Sequence, residues 1–272
     1  MTGKQKVVAG ICCTIIAVNG FALAILVPQI SNATQPETPP PSAVKATTTP
    51  PHTSDPLQRA EFYFAPEQYD MEKARQYYTQ VITEDPNQSA LAWYQLSRIN
   101  FLEGKFSAGL HNLQRKLDIF GDKIPNTYYM KGLIYAFRAD WYGNESDWER
   151  SANNFEKFLE YYDASPWARI DLAWVYFSIE QYEEMLTVLT PIAERESTNP
   201  WFLNMYALAL FHTDQQVRAT NAITQAHEQI QNTTIADWAS VYPENDPDEW
   251  PIGLAEFTTA VERNLKLITA QN

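Results

Sequence analysis

Apolar positions along the chain recur in helical stripes with a period near 34 residues. In residues 69–88, YDMEKARQYYTQVITEDPNQ, a small residue is followed by a bulky residue four positions later and another three beyond that. This spacing predicts an amphipathic helix with one buried face. The three positions recur at steps of 35, 42, 34 and 34 residues: Ala74, Tyr78, Val81; Gly109, Leu113, Lys116; Ser151, Phe155, Phe158; Met185, Leu189, Ile192; and Ala219, Ile223, Ala226.

A second stripe precedes each of the later helices and keeps the same phase. Its members are Trp93, Leu96, Ser97; Tyr128, Lys131, Gly132; Arg169, Leu172, Ala173; and Leu203, Tyr206, Ala207. Prolines stand at its starts, and in SPW and NPW a capping side chain comes before a proline in the first helical turn. The pattern therefore predicts five units of two helices each.

A two-helix unit of this length is typical of the tetratricopeptide repeat (TPR), and residues 57–232 resemble a TPR array. AWYQLSRINFLEGKF carries the Trp, Leu, small residue, Gly and aromatic residue in the family's order, and YDMEKARQYYTQVITEDPN resembles the second helix with its closing proline. Three features depart from the pattern. Pro66 interrupts the first unit, Lys131 replaces a usual Leu, and the 42-residue step adds about seven residues within RADWYGNESDWER.

The resemblance implies an all-α, right-handed superhelix of about five TPR-like helix pairs. Such pairs stack because one pair cannot bury its own apolar face, and the last pair needs a cap. Residues 233–272 supply a Pro/Trp-rich loop followed by a capping helix. Within residues 253–270, one face is apolar at helical spacing: Leu254, Phe257, Val261, Leu265 and Ile268.

The N-terminal segment has a different composition and predicts a membrane anchor. Lys4 and Lys6 precede an apolar run over residues 7–27, long enough to cross a bilayer as a single transmembrane helix. The lysines place the N-terminus in the cytoplasm. Residues 1–29 are thus predicted to be a cytoplasmic stub and a transmembrane signal anchor, and the rest of the chain is predicted to lie outside the cytoplasm. A cleavage site at SNA, residues 31–33, leaves a cleaved and exported form as the alternative. Residues 30–56 are rich in Pro and Thr and predict a disordered linker.

The net charge of the chain and its reactive side chains limit the classes of function that it can have. The formal net charge is −13, from 20 basic and 33 acidic residues, which disfavours a nucleic-acid partner. Both cysteines lie in the apolar run, so the predicted exported part has no thiol chemistry. The four histidines are scattered, and no nucleophile or phosphate-loop motif occurs. The acidic run PENDPDEWP lacks the ligand spacing of a calcium loop. We therefore expect no enzyme activity, no metal and no cofactor.

The resemblance implies that the first helix of each pair lines a concave groove. When the family's groove positions are transferred to this sequence, ten residues form the predicted partner-binding site: Tyr94, Arg98, Phe101, Tyr129, Phe137, Trp167, Trp174, Trp201, Asn204 and Phe211. Apolar neighbours at groove positions include Leu91, Ile170, Phe177 and Leu208. A mostly aromatic groove with Arg98 and an amide suits an extended or helical peptide. The competing interpretation is that these aromatic residues pack between repeats, as aromatic stripes at helical spacing usually do.

Taken together, these features predict a membrane-anchored scaffold that holds a protein or peptide partner on the extracytoplasmic side of the plasma or inner membrane. Assembly or maturation of an envelope complex is the expected setting. Two alternatives stay open. The array could present substrate to a membrane enzyme complex as a non-catalytic subunit, or it could be a cleaved, soluble protein that binds carbohydrate or cell wall through exposed tryptophans.

Overall fold

The computed structural model describes residues 54–86, 89–122, 125–243 and 245–270. These residues form twelve α-helices and two short 3₁₀ turns, Thr190–Ile192 and Pro247–Glu249, and contain no β-strand. The helices are α1 (Pro56–Phe64), α2 (Met71–Glu84), α3 (Ala90–Leu102), α4 (Phe106–Phe120), α5 (Asn126–Tyr142), α6 (Glu145–Leu159), α7 (Pro166–Ser178), α8 (Tyr182–Leu189), α9 (Pro200–His212), α10 (Gln216–Gln231), α11 (Ile235–Val241) and α12 (Trp250–Thr269).

Helices α1 to α10 pack as five consecutive pairs, which confirms the all-α repeat fold predicted from the sequence. Each pair packs against the next, and the first helices α3, α5, α7 and α9 also adjoin one another. Helix α12 continues this series by packing against α10 and α9. The stack is a TPR-like superhelical array, and we call the side formed by the first helices its inner face.

Helix starts follow the predicted capping pattern. The Ser165 hydroxyl accepts a hydrogen bond from the Ala168 backbone N–H, and Pro166 occupies the first turn of α7. The Asn199 side chain accepts from the backbone N–H groups of the second and third residues of α9. These side chains satisfy donors that lack a partner within the helix, so each start is fixed locally.

The turn inside every pair contains one residue in the left-handed backbone region. Glycine fills that place in the second and third pairs, as Gly104 and Gly143, whereas Tyr69, Glu180 and Asp214 fill it in the others. In the last four turns, the next residue donates its N–H to the carbonyl five residues earlier, as a Schellman ending does. A bulky side chain rarely adopts this conformation, so Tyr69 is the unusual member of the series.

Close contact within a pair depends on small residues. A Cβ atom on Gly132 would lie 2.9 Å from the Phe155 ring, so only glycine fits between α5 and α6 at this point. The Ser151 hydroxyl donates to the Gly132 carbonyl at 2.7 Å. Phe155 and Leu189 are fully buried, as the repeat spacing predicted.

The third pair accommodates its seven additional residues by lengthening both helices. Helix α5 has 17 residues against 13 in α3, and α6 begins six residues before Ser151, whereas α4 begins three residues before its counterpart, Gly109. The extension is pinned by Asp147, whose carboxylate has no exposed surface and accepts two hydrogen bonds from Arg138, at 2.7 and 2.8 Å. Arg150 and Asn144 donate to the same carboxylate, so the buried charge is paired.

The C-terminal helix covers the end of the stack with the predicted apolar face. Phe257, Val261 and Ile268 are buried. Asn264 Nδ2 donates to Asn204 Oδ1 at 2.9 Å, and Gln216 Nε2 donates to the Ile268 carbonyl at 2.5 Å.

The predicted transmembrane helix over residues 7–27 lies outside the described residues, as does nearly all of the predicted linker. Among the residues that are described, no helix has both the length and the apolar character required to cross a membrane.

Candidate partner-binding face

The inner face contains all ten residues predicted to line a groove, but it buries most of them. Only Trp167, Trp201 and Phe211 keep appreciable exposure. The other seven are buried: Tyr94, Arg98, Phe101, Tyr129, Phe137, Trp174 and Asn204. Aromatic packing between repeats therefore accounts for the position of most members, and their role in binding stays a prediction.

The buried aromatic residues make a continuous row across three units. The Phe101 ring lies 5.0 Å from that of Phe137, and Phe137 lies 5.2 Å from Trp174. The row ends on Trp148, 5.6 Å from Trp174. All three contacts are edge-to-face, the geometry that aromatic pairs prefer. Three of the ten predicted residues, Phe101, Phe137 and Trp174, thus form one connected row, which stabilises the stacking of the first helices.

Arg98 is part of an internal polar network. Its Nη1 donates to Gln95 Oε1 at 2.8 Å, and its guanidinium lies 5.1 Å from the centre of the Phe64 ring. Gln95 in turn donates to Glu61, which also accepts from the Tyr78 hydroxyl. The sequence placed Arg98 in a partner-binding groove, whereas in the structure it is buried and this network holds it between the first two pairs.

A carboxyl group on the inner face links two of the first helices. The Tyr129 hydroxyl on α5 donates to Asp171 Oδ2 on α7 at 2.5 Å. Burial raises the pKa of Asp171 to about 7, and the hydrogen bond from Tyr129 offsets only part of that rise. Burial and then the Asp171 carboxylate raise the pKa of the Tyr129 and Tyr242 hydroxyls.

The exposed end of the inner face is built around Trp201. Its ring lies 5.7 Å from Trp167 and stacks on Phe257 of α12 at 5.4 Å. Helix α11 packs beside it, with Trp238 at 5.8 Å. This cluster brings residues of four helices to one place.

At the other edge of α9, His212 stacks on Tyr182 with ring centres 4.0 Å apart. Burial lowers the pKa of His212, and Glu180 counteracts that shift only in part. These contacts show that the imidazole of His212 is packed against aromatic neighbours at this edge.

The segment between α10 and α12 packs beside Trp201 on the inner face, a contact that spacing in the sequence did not reveal. We call α11, Tyr242, Asn245, Asp246 and the turn Pro247–Glu249 the strap. Tyr242 is buried, 4.6 Å from Trp238 and 6.2 Å from Trp201, and Trp250 Nε1 donates to its carbonyl at 3.1 Å. The sequence indicated a packed loop here from its prolines and tryptophans, but not what it packs against.

The carboxylates at the far end of the strap influence Tyr69, which lies in the turn between α1 and α2. Burial, followed by the carboxylates of Asp246 and Glu249, raises the pKa of Tyr69 far above its ordinary value. The strap forms turns here, since the Asn245 backbone N–H donates to the Tyr242 carbonyl at 3.2 Å and Pro247–Glu249 is a 3₁₀ turn.

Neither a metal site nor a tryptophan-rich surface stands out in the parts of the chain that the structure describes. No three His, Cys, Asp or Glu side chains there gather as metal ligands do. All eight tryptophans fall within the described residues, and Trp141 alone is exposed, at 53%. Trp167 and Trp201 are partly exposed, so the described residues do not present several fully exposed indole faces.

Solved structures share this architecture. PilW, described as a widely conserved type IV pilus biogenesis factor, is 15% identical with a TM-score of 0.53, and the match covers 80% of this chain and 93% of that chain. The C-terminal part of a TPR repeat-containing protein from Cytophaga hutchinsonii is 13% identical with a TM-score of 0.50, covering 80% and 83%. No family model and no curated protein matches the chain. The likeness identifies the fold as that of a TPR protein.

Proposed function

We propose that this protein is a membrane-anchored scaffold that holds an extended segment of another protein against the inner face of its repeat array. The observation that carries the proposal is the partly exposed pair of Trp167 and Trp201 on the inner face, whose ring centres lie 5.7 Å apart. A groove of this kind binds a peptide through aromatic anchors, and these two residues and Phe211 supply them.

The membrane part of the proposal is supported by the sequence. Lys4 and Lys6 before the apolar run of residues 7–27 favour a signal anchor with its N-terminus in the cytoplasm. The Pro/Thr-rich residues 30–56 would then hold the array away from the bilayer on the extracytoplasmic side. We infer that it serves the assembly or maturation of an envelope complex there.

Photocrosslinking in the native host tests this function. A photoreactive amino acid replaces Trp167 or Phe211, the partly exposed residues of the inner face, or the exposed Glu183 on α8 as the matched control. We expect a discrete crosslinked protein from the inner-face positions and none from Glu183, identified by mass spectrometry of membrane fractions. Crosslinks from Glu183 alone would contradict the proposal, because the partner would then lie on the outer side.

A further inference from the structure

One carboxylate on the inner face has no cation beside it. Asp171 on α7 accepts the hydrogen bond from the Tyr129 hydroxyl through Oδ2, at 2.5 Å. Within the described residues this is the one hydrogen bond that the carboxylate accepts, and no lysine, arginine or histidine there forms an ion pair with it. Asp147, by contrast, is paired with Arg138 and Arg150. The free protein therefore satisfies only half of the Asp171 carboxylate.

The second oxygen of Asp171 stays accessible. Oδ1 accepts no hydrogen bond from the described residues, and it is not one of their enclosed polar atoms that lack a partner, so it keeps contact with solvent. The residue as a whole is half-buried. A carboxylate in such a place attracts a cation more strongly than one in bulk water, because less water screens the interaction.

An aromatic surface lies next to this carboxylate. Trp167 precedes Asp171 by four residues on α7, a spacing that brings two side chains together on one helix face. The Trp167 ring is partly exposed and lies 5.7 Å from that of Trp201 on α9. The face of an indole ring attracts cations, and of the aromatic side chains it does so most strongly. An open carboxylate and a partly exposed indole thus lie side by side.

We propose that Asp171 binds a basic side chain, arginine or lysine, of the partner segment on the inner face. The cationic group pairs with Oδ1, and its apolar stem lies against the Trp167 ring. The inference rests on the proposed scaffold function and names the class of partner, a segment that carries a basic residue at the position facing α7.

The charge of the chain favours such a partner. The formal net charge is −13, which attracts a basic segment and speeds its encounter with the array. Among the ten residues predicted to line the groove, Arg98 alone is cationic, and it is buried between the first two pairs. It therefore leaves Asp171 as the charge that a ligand meets on α7.

Pairing with a ligand also relieves a cost that the free protein bears. Burial raises the pKa of Asp171 to about 7, because desolvation disfavours the ionised carboxylate. A cation placed beside the carboxylate favours its ionised form. Since this ion pair exists only in the complex, its free energy contributes to binding, whereas that of the Asp147 pairs contributes to folding.

Peptide selection tests the inference. The full-length chain, purified in detergent, selects binders from a phage-displayed library of random peptides. We expect wild type to enrich peptides with arginine or lysine at one fixed position. Asp171→Asn keeps an oxygen that can accept from Tyr129 and should lose this preference. Glu183→Gln removes an exposed carboxylate on α8 as the matched control and should keep it.

Affinity measurements then assign the preference to one pair of groups. The most enriched peptide is synthesised with a fluorescent label, and a second version carries citrulline or norleucine in place of the basic residue. In a polarisation assay this replacement should weaken binding to wild type and to Glu183→Gln by about tenfold or more, and to Asp171→Asn by about twofold at most. An equal loss on Asp171→Asn overturns the inference. So does a selection that yields no binder or no preferred basic position.

Trp167→Leu takes the place of Asp171→Asn if that variant does not fold, as judged by circular dichroism. It removes the indole and keeps the carboxylate, so the loss caused by neutralising the basic residue should become smaller by about twofold to fivefold. An unchanged loss on a folded Trp167→Leu variant counts against the site.

Failure of this inference is distinguishable from failure of the scaffold function. If the inner-face crosslinks form in the host and no basic residue is selected, the array has a partner that Asp171 does not recognise. If basic peptides bind through Asp171 and no inner-face crosslink forms in the host, the site exists but the proposed scaffold function is wrong.

Discussion

Lys116 is a lysine at a helix position where the other units carry Val81, Phe158, Ile192 or Ala226. It is 4% exposed, and its Nζ lies 4.6 Å from the centre of the Tyr94 ring. Burial lowers the pKa of Lys116 to about 8. At neutral pH the native state therefore holds a buried ammonium group, which costs free energy that the unfolded chain does not incur.

Replacing this lysine should stabilise the protein. We predict that Lys116→Met raises the free energy of unfolding at pH 7 by about 1–3 kcal/mol, measured by urea unfolding. The gain is complete below about pH 8 and disappears as the pH rises toward the ordinary lysine pKa, because wild type then becomes neutral in both states. Lys157→Met is the control, since Lys157 also lies over a tyrosine ring but is less deeply buried. A gain of the same size from both variants would contradict this explanation.

Asp171 should make stability depend on pH in the acidic to neutral range. Its pKa is raised to about 7 by burial, although the residue keeps some contact with solvent. A carboxyl whose folded pKa lies above its unfolded value favours the native state when protonated, so it reduces stability as the pH rises from about 4 to 7. We predict that Asp171→Asn stabilises the protein at pH 8, on the order of 2 kcal/mol after allowance for solvent, and changes little at pH 4.

Thermal melts at pH 5 and pH 8 measure this effect. Asp237→Asn provides a control of opposite sign, because the hydrogen bonds from Thr234 lower the pKa of that exposed carboxyl. Its replacement should reduce stability at pH 8. If Asp171→Asn also lowers the melting temperature at pH 8, the hydrogen bond from Tyr129 outweighs the burial of the charge.

At the scale of elements, the long α5–α6 pair depends on one ion pair. Asp147 has no exposed surface, and Arg138 binds both of its oxygens. Burial alone would raise the pKa of Asp147, but Arg138 and Arg150 together lower it. Asp147→Ala leaves the guanidinium of Arg138 without its partner, and we predict a loss of about 2–4 kcal/mol of unfolding free energy.

Arg150→Ala is the matched change at the same carboxylate. The Arg150 side chain is exposed, so its removal should cost at most about 1 kcal/mol. Equal losses from Asp147→Ala and Arg150→Ala in chemical denaturation would mean that the carboxylate is not anchored mainly by Arg138.

At the scale of the whole molecule, the repeat register was predictable because each unit has the same spacing of small and bulky residues. Small residues such as Gly132 and Ser151 marked the close contact within a pair, and the structure places them in direct hydrogen-bond contact. The spacing did not show how closely neighbouring units pack. Tyr94 and Arg98 were therefore expected in an open groove, but they are buried.

The position of the strap was beyond prediction from spacing because its contacts join distant parts of the chain. Tyr242 packs beside Trp201 on α9, and no periodic pattern links these two residues. The one local signal was the run of prolines and tryptophans in DWASVYPENDPDEWPIG, which indicated a packed loop but not what it packs against.

The arrangement of the whole chain in the membrane is the last prediction. Lys4, Lys6 and the apolar residues 7–27 predict a retained anchor, and the proline-rich linker after it is the most accessible site for proteolysis. Protease added from outside to intact cells should release the folded array and leave the anchor behind. Alkaline carbonate should not extract the undigested chain. Changing Lys4 and Lys6 to Glu should reduce the fraction cleaved from outside, because the positive charges retain the N-terminus in the cytoplasm. A mature chain that starts near Thr34 and washes off with carbonate would establish the cleaved, exported form instead.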